Sequence, residues 1–589
     1  MNENLEASWL DIKAKLTTIF YTLSQSIDGF SDDFDPEVRV ADSRFGDFQV
    51  NGVLRFAKGK GENPRELAQK LLIRAKECEE LSSMELELSG PGFINIRLSA
   101  LFLGRWIGNF CGRCDISQWL SGKTIVIDYS SPNTAKQMHV GHLRSMIIGE
   151  SIQRLLRFCG AKVIRDNHIG DWGTQFGILI MAIKRAKVNV SAMDEATALD
   201  EFERLYREGS DLAKEDISAL DEARKELLLL QRGDSENLKI WEAINGVSYR
   251  AFEEIYRQMD VTFDYVLGES FYRDKVDHVC DELESLGIAE EDNGALVVFH
   301  REHERFRTQP FLIRKSDGAS NYATTDLATV LYREKEFHAD EIIYVTDGRQ
   351  QDHFQQLFLT VERWFPLKDI SIPILKHVWF GTVLGEDGHA IKTRSGESIK
   401  LKQLMEEGIG RALAIVEEKN PSFPEEERRK IARIVAIGAI KYADLSQNRT
   451  NDYVFSWEKM LAFDGNTAPY LLYAVTRIHA LFRKLALTPN SGEHGLSAVV
   501  FSTAEELALA RQLINFPPTI KQVLEDLRPH YLCTYLFELA SEFSSFYNGN
   551  RILGEDEDIL EKRLLLCRFT LYVLEIGLHL LGIETLERM

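Results

Sequence analysis

Residues 128–150 read Asp-Tyr-Ser-Ser-Pro-Asn-Thr-Ala-Lys-Gln-Met-His-Val-Gly-His-Leu-Arg-Ser-Met-Ile-Ile-Gly-Glu. Two histidines, His139 and His142, stand three apart where an amphipathic helix begins, so both imidazoles share one face. Gly141 between them leaves room for a flat base or a phosphate to come against the backbone. The unpaired N–H groups of a helix start favour an anion. Together these features predict a nucleotide site in which two imidazoles donate to phosphate oxygens.

The elements that must hold this group alternate. Short apolar strands are predicted at 124–129, 162–167, 341–346 and 374–380, with helices at 143–158, after 175 and at 354–364. Such alternation argues for an open parallel sheet, which binds ligands at the carboxyl ends of its strands. The His139 turn follows the first strand, so it falls at that edge. Between roughly 186 and 300 the chain turns to charged helical sequence, for example 199–230 and 237–258. This reads as an insertion splitting the nucleotide fold in two, and mostly as solvated scaffold.

Residues 1–118 read as a small α+β unit: helical patterning at 10–26 and 63–80, and alternation at 85–97. Phe45 and Phe48 there are aromatic, and core packing is the better expectation for either one. After about 405 the chain is nearly all helix. Stripes such as Ile431, Ile434, Val435, Ile437 and Ile440 have the spacing of a bundle core. The expected architecture is a Rossmann-type α/β catalytic domain (119–405) with a helical insertion. An α+β domain precedes it, and an all-α domain follows at 406–589.

Composition narrows the class. A chain of 589 residues, 44% hydrophobic and 27% charged, is an ordinary multidomain globular protein. It has no apolar run of about 18 residues to span a bilayer, and the acidic start Met-Asn-Glu-Asn-Leu-Glu does not resemble a secretory signal. A cytoplasmic location is the default expectation. Seven scattered cysteines argue against a disulfide framework. Cys111-Gly-Arg-Cys114 has neither a second pair nor a histidine at metal-binding spacing, so no metal is assigned there. The net charge of −21 weighs against a polyanion partner, but phosphate contacts need local cations rather than a global excess.

The segment Ser130-Ser-Pro-Asn-Thr-Ala-Lys-Gln-Met-His-Val-Gly-His-Leu-Arg-Ser145 resembles the HIGH signature of class I aminoacyl-tRNA synthetases, in the form carried by the arginyl-tRNA synthetase family. Gly170-Asp-Trp-Gly-Thr-Gln-Phe-Gly177 strengthens the resemblance, which runs almost end to end. It implies activation of L-arginine with ATP and transfer to tRNA(Arg), dependence of activation on bound tRNA, and a monomer. For Phe45 and Phe48 it implies, instead of core packing, that they could stack on an unpaired base. Magnesium accompanies ATP, but no acidic cluster in the sequence identifies a protein ligand for it.

By that resemblance His139, Gly141 and His142 bind ATP. The second class I signature corresponds to Leu384-Gly-Glu-Asp-Gly-His-Ala-Ile-Lys-Thr-Arg-Ser-Gly-Glu-Ser398, a degenerate form that offers Lys392 and Arg394 to the phosphates. Its missing second lysine makes Lys136 a compensating cation. An arginine pocket needs carboxylates, because a guanidinium is a planar fork of five donors. A site so built rejects lysine by roughly 10⁴ without editing. The resemblance assigns Ser131, Pro132, Asn133, His142, Tyr322, Asp326 and Gln350 to that pocket, with Glu269 resting on three letters. Tyr322 and Asp326 are four apart on one helix face. Asp128, at the strand end, is expected to add negative potential. In the helical region Tyr473, Arg477, Tyr547 and Met589 are candidates to hold unstacked anticodon bases.

Two rivals stand beside this reading. Another class I adenylate-forming enzyme would share His139-Val-Gly-His142 without the set Tyr322, Asp326 and Gln350. A non-catalytic RNA-binding paralogue would have no reason to keep His139, Gly141, His142 and Asn133 intact.

Overall fold

A computed structural model describes residues 7–589, apart from 43, 113, 191–192, 194, 317, 319–320, 390, 392–398 and 489–498. At its centre lies a four-stranded parallel sheet, ordered Ile374–His377, Glu341–Tyr344, Thr124–Asp128, Lys162–Asp166. Ile125, Val126 and Ile127 are all buried, as strands covered on both faces require. From Thr124–Asp128 the chain crosses through the helix Val140–Phe158 to Lys162–Asp166 on one side. It later returns to Glu341–Tyr344 on the other side. The direction of winding therefore reverses between Thr124–Asp128 and Glu341–Tyr344, and a crevice opens there at the strand ends.

The excursion between the two halves contains the helices Glu195–Glu215, Ile217–Gln231 and Ser235–Gln258. The single helical stretch expected at 199–230 is two helices. Asp216 stops the first and caps the second, its carboxylate accepting from Ser218 N. A small antiparallel sheet, Glu290–Asp292, Ala295–Val298 and Phe311–Arg314, was not expected from the sequence. Strands of three or four residues are too short to give a readable alternation.

The first unit has the expected α+β character: the sheet order is Val38–Val40, Phe48–Val50, Phe93–Leu98, Met84–Ser89, backed by helices including Pro64–Glu77. Phe48 is buried, whereas Phe45 remains 44% exposed. The helical region begins at Leu401–Lys419 and ends with Glu557–Leu580. It docks on the first unit through Trp106 stacked on Phe569 and through an Arg511–Asp47 ion pair of 2.9 Å. It docks on the parallel sheet's helix through Arg144 and Asp444, 3.1 Å apart and almost wholly excluded from water. A buried pair of this kind is costly to break from one side, so it fixes where the two helices meet. All seven cysteines are free thiols, and burial pushes the thiol of Cys114 upward. Among the described residues no helix is long and apolar enough to cross a membrane.

Candidate active site

The His139 turn is a reciprocal cap. His139 Nδ1 accepts the Gly141 N–H at 3.0 Å, and His142 Nδ1 accepts the His139 N–H at 3.1 Å. The remaining N–H groups of the turn are also taken, Val140 by Ile399 O and His142 by His139 O. The expectation of free amides for an anion is therefore corrected: the imidazoles consume them. Because both Nδ1 atoms accept from backbone N–H, each neutral ring carries its proton on Nε2. Burial first, and then Lys136, hold His139 below its usual pKa. Burial first, and then the neighbouring His139 and Lys136, push His142 down to about 3. The pair is thus two neutral Nε2–H donors, with ring centres 4.1 Å apart. Gly141 is required for a second reason besides ligand access, since a Cβ there would stand 2.6 Å from the His139 ring.

The loop ahead of this turn is strained and held from outside. Ser130, Ser131 and Ala135 have φ of 74°, 46° and 63°, unusual for residues other than glycine. Each of their N–H groups is met by a side chain: Ser145 Oγ, Asn167 Oδ1 and Ser248 Oγ respectively. Pro132 O accepts from Gly170 N, and Asn133 pairs with Gly170 so closely that any Cβ there would lie 2.0 Å from Asn133 Oδ1. This gives Gly170 of the Gly-Asp-Trp-Gly string its physical role. The next residue, Asp171, accepts from Ser270 N (2.8 Å), Ser270 Oγ (2.6 Å) and Tyr249 OH (3.0 Å), anchoring the chain beside Glu269.

The insertion is not mere scaffold here. Residues 200, 203 and 206 of Glu195–Glu215 fall at three-residue spacing on one face. Glu203 accepts from Gln137 N at 2.7 Å, and Tyr206 carries Lys136 Nζ 5.1 Å above its ring. Asp200 accepts from Gln137 Nε2 and pairs with Lys400. Lys400 pairs in turn with His139, so the chain that leaves the second signature is stitched to the first. Lys392 and Arg394 themselves lie outside the described residues.

The acidic end adjoins this wall. Tyr322, 64% exposed at the start of Tyr322–Phe337, has its hydroxyl pKa raised by burial, by Glu269 and by Tyr206. Burial pushes the Glu269 carboxyl up to about 8, aided by the charges of Asp171 and Asp326. Asp326 Oδ2 accepts from His353 Nε2 at 2.5 Å. Gln350 is exposed on the turn Gly348–Gln350, which follows Glu341–Tyr344 and leads into the helix that carries His353. His139 thus contacts His142, and Lys136 contacts Tyr206, while Lys136 acts on His139 and Glu269 acts on Tyr322 through their charges, as Asp326 does on Glu269. Asp128 is not a free anion here. It is 5% exposed and bound to fully buried Arg333 at 2.7 Å, which also holds Asp166 at 2.8 Å. Burial opposes the charge on Arg333, but the two carboxylates outweigh it. Asp128 also accepts Ser131 Oγ at 2.9 Å, which makes it a brace for the loop.

In the helical region Arg477 lies 4.8 Å from the Tyr473 ring centre and 5.4 Å from that of Tyr547, so three of the four tRNA candidates form one cluster. Tyr473 is 45% exposed. Met589 is partly buried against the core.

Sequence reasoning gave no role to Asp171, Asp200, Glu203, Tyr206 or His353. Asp171 stood inside the Gly170–Gly177 string and His353 three residues after Gln350, and these positions were the available signal. The other three sit in ordinary charged helix and carry none.

A parallel sheet with this cleft matches a family model described as tRNA synthetases class I (R), catalytic domain, over residues 115–457. Models for a DALR anticodon binding domain and an arginyl tRNA synthetase N terminal domain match 471–589 and 11–98. The chain is 44% identical over 553 residues to the arginine–tRNA ligase of Cellvibrio japonicus, covering 92% of this chain and 94% of that one. It is 44% identical over 566 residues to the ligase of Erwinia tasmaniensis, covering 95% and 96%. The arginyl-tRNA synthetase structure from Plasmodium falciparum superposes with a TM-score of 0.82 at 28% identity, covering 98% and 99% of the two chains. That from Thermus thermophilus shares the fold, with a TM-score of 0.80 at 23% identity and coverage of 98% and 100%. The chain belongs to the arginyl (R) family of class I tRNA synthetases.

Proposed function

We propose that the chain is an arginine–tRNA ligase: it activates L-arginine with ATP to arginyl-adenylate and transfers arginine to tRNA(Arg), releasing AMP and diphosphate. The observation that carries this reading is the pair of Nε2–H donors at the strand-end turn, with Glu269, Tyr322 and Asp326 in electrostatic reach of one another.

In the first step a carboxylate oxygen of arginine attacks the α-phosphorus, an O–P bond forms, and the bond to the diphosphate breaks. The protein's task is placement and stabilisation of charge on phosphate oxygens. His139 and His142 are assigned the α-phosphate oxygens, to which neutral Nε2–H groups donate without a desolvated imidazolium. Lys136, Lys392 and Arg394 are assigned the outer phosphates, and Gly141 the face of the adenine. Magnesium is proposed to enter with ATP on its phosphates. Ser131, Pro132 and Asn133 are proposed to hold the amino acid's head group. Glu269, Asp326, Tyr322 and Gln350 take its side chain. In the second step a terminal ribose hydroxyl of the tRNA attacks the adenylate carbonyl and AMP leaves.

Tyr473, Arg477, Tyr547 and Met589 are proposed to contact the anticodon loop, with a stacked arginine between two rings suited to an unpaired base. A monomer working in the cytoplasm is the accompanying proposal. The decisive assay is aminoacylation of total tRNA with ATP and radiolabelled arginine, lysine, glutamine or glutamate. Charging with arginine alone is the expected result. Charging with another amino acid supports the first rival, and tRNA binding without any charging supports the second.

A further inference from the structure

Asp326 does not face the cleft as a free carboxylate. It projects from the first turns of Tyr322–Phe337 toward His353, near the start of Gln351–Trp364, and the Nε2···Oδ2 separation is 2.5 Å. A carboxylate only accepts, so His353 Nε2 is the donor. The imidazole is itself held in orientation by Phe311 and Phe354, whose ring centres lie 5.5 and 5.3 Å away, the latter nearly perpendicular. Among the described residues Asp326 is the ion-pair partner of this framed imidazole, with His377 the other titratable ring nearby, so the plane of His353 serves Asp326.

We infer that His353 is a specificity-positioning residue: by occupying Oδ2 it stops the Asp326 carboxylate from rotating and leaves Oδ1 alone, in one direction, for a guanidinium N–H. The inference rests on the arginine pocket proposed above. A guanidinium spreads five donors over a rigid plane, so it loses little when one wall offers a single fixed oxygen and another wall offers Glu269. A lysine ammonium is a compact charge with three rotatable donors. It gains most from a carboxylate free to turn both oxygens toward it. Fixing Asp326 therefore costs lysine more than arginine, without any group that repels lysine.

The test uses the full-length protein with ATP and total tRNA. His353→Asn leaves an amide too short to reach Asp326, whereas His353→Gln can place its Nε2 where the imidazole Nε2 stood. His353→Asn is expected to raise KM for arginine by about tenfold, the factor that accompanies about 1.4 kcal/mol. It should leave KM for ATP within about twofold and narrow the arginine-to-lysine ratio of kcat/KM. His353→Gln is expected to recover most of both losses. In Asp326→Asn, adding His353→Asn is expected to do nothing further, as for two residues acting through one contact. Equal damage from Asn and Gln, a parallel loss toward ATP, or additive effects with Asp326→Asn would overturn the inference. A wild-type chain that charges no arginine sinks the proposed function instead. Normal charging by wild type and His353→Asn alike sinks only the role of His353.

Discussion

The two ends of the cleft are built in opposite ways. The histidine end is mostly local: three of the four N–H groups of residues 139–142 are met within the turn, Val140 alone donating to distant Ile399 O, and the geometry of two Nε2–H donors follows from a helix cap. The acidic end is assembled from distant pieces. Glu269 hangs beside Asp171, Tyr322 and Asp326 come from one helix, and His353 and Gln350 from the turn and helix after another strand. A local site is set once its turn forms, and it tolerates change elsewhere. A composite site depends on every contact that registers its parts, so its specificity can be altered from outside.

On that contrast the largest loss comes from the histidine end, without any loss of fold. His142→Asn keeps an oxygen near the Nδ1 position to cap His139 N but removes Nε2–H. Charging is expected to fall by about 10²–10³ in kcat, as when one donor to developing charge is removed. His142→Ala also discards the cap, at about 1 kcal/mol of stability, and is expected to abolish charging. Both variants should bind tRNA as wild type does in a filter assay. Lost tRNA binding would show that this end is not a separate local device.

Next in size is the acidic end. Asp326→Asn is expected to raise KM for arginine by about ten- to a hundredfold, the range of a hydrogen bond to a charged group, with KM for ATP nearly unchanged. An unaltered dependence on arginine would remove Asp326 from the pocket.

The contrast extends to pH. Burial, Asp171 and Asp326 push the Glu269 carboxyl up to about 8, so in the empty pocket it is protonated below that value. A guanidinium favours the carboxylate, and arginine binding therefore releases a proton. KM for arginine is expected to fall as pH rises toward about 8, by at most tenfold per unit, and then to level off. Glu269→Gln should flatten that profile, and the measurement is KM against pH between 6 and 9 at saturating ATP. A wild-type profile already flat would place Glu269 away from the guanidinium.

The smallest effect is expected where the chain leaving the second signature is stitched to the first. Asp200 joins Gln137 to Lys400 across a solvent-facing contact, and such pairs contribute roughly 0.2–1 kcal/mol. Asp200→Asn should raise KM for ATP by no more than about fivefold, and Lys400→Met should add little to it. Additive losses would mean that Asp200 acts through Gln137 instead.

Much of this was legible beforehand, and unevenly so. His139, Gly141 and His142 were readable because spacing, a preceding strand and a following helix all lie within one stretch of sequence. The parallel sheet was readable from alternation, and the helical end from its stripes. The helix start, however, was misread as an open anion site, because side-chain capping depends on rotamers that spacing does not convey. The negative potential expected of Asp128 is offset by Arg333, a partner 205 positions away that nothing near Asp128 in the chain announces. Tyr206, Glu203 and Asp200 could not be found at all, since a charged helix face looks the same whether it meets water or a signature loop.

The sequence alone determined what is periodic or contiguous: the strands of the parallel sheet, the longer helices, and the placing of His139 and His142 together at a helix start. Only the tertiary structure decided which acids are free and which are spent, since a carboxylate's charge depends on burial and on partners that the chain brings from far away. Asp128 and Asp326 are the same side chain. The first is neutralised by a buried arginine, and the second is aimed by a histidine.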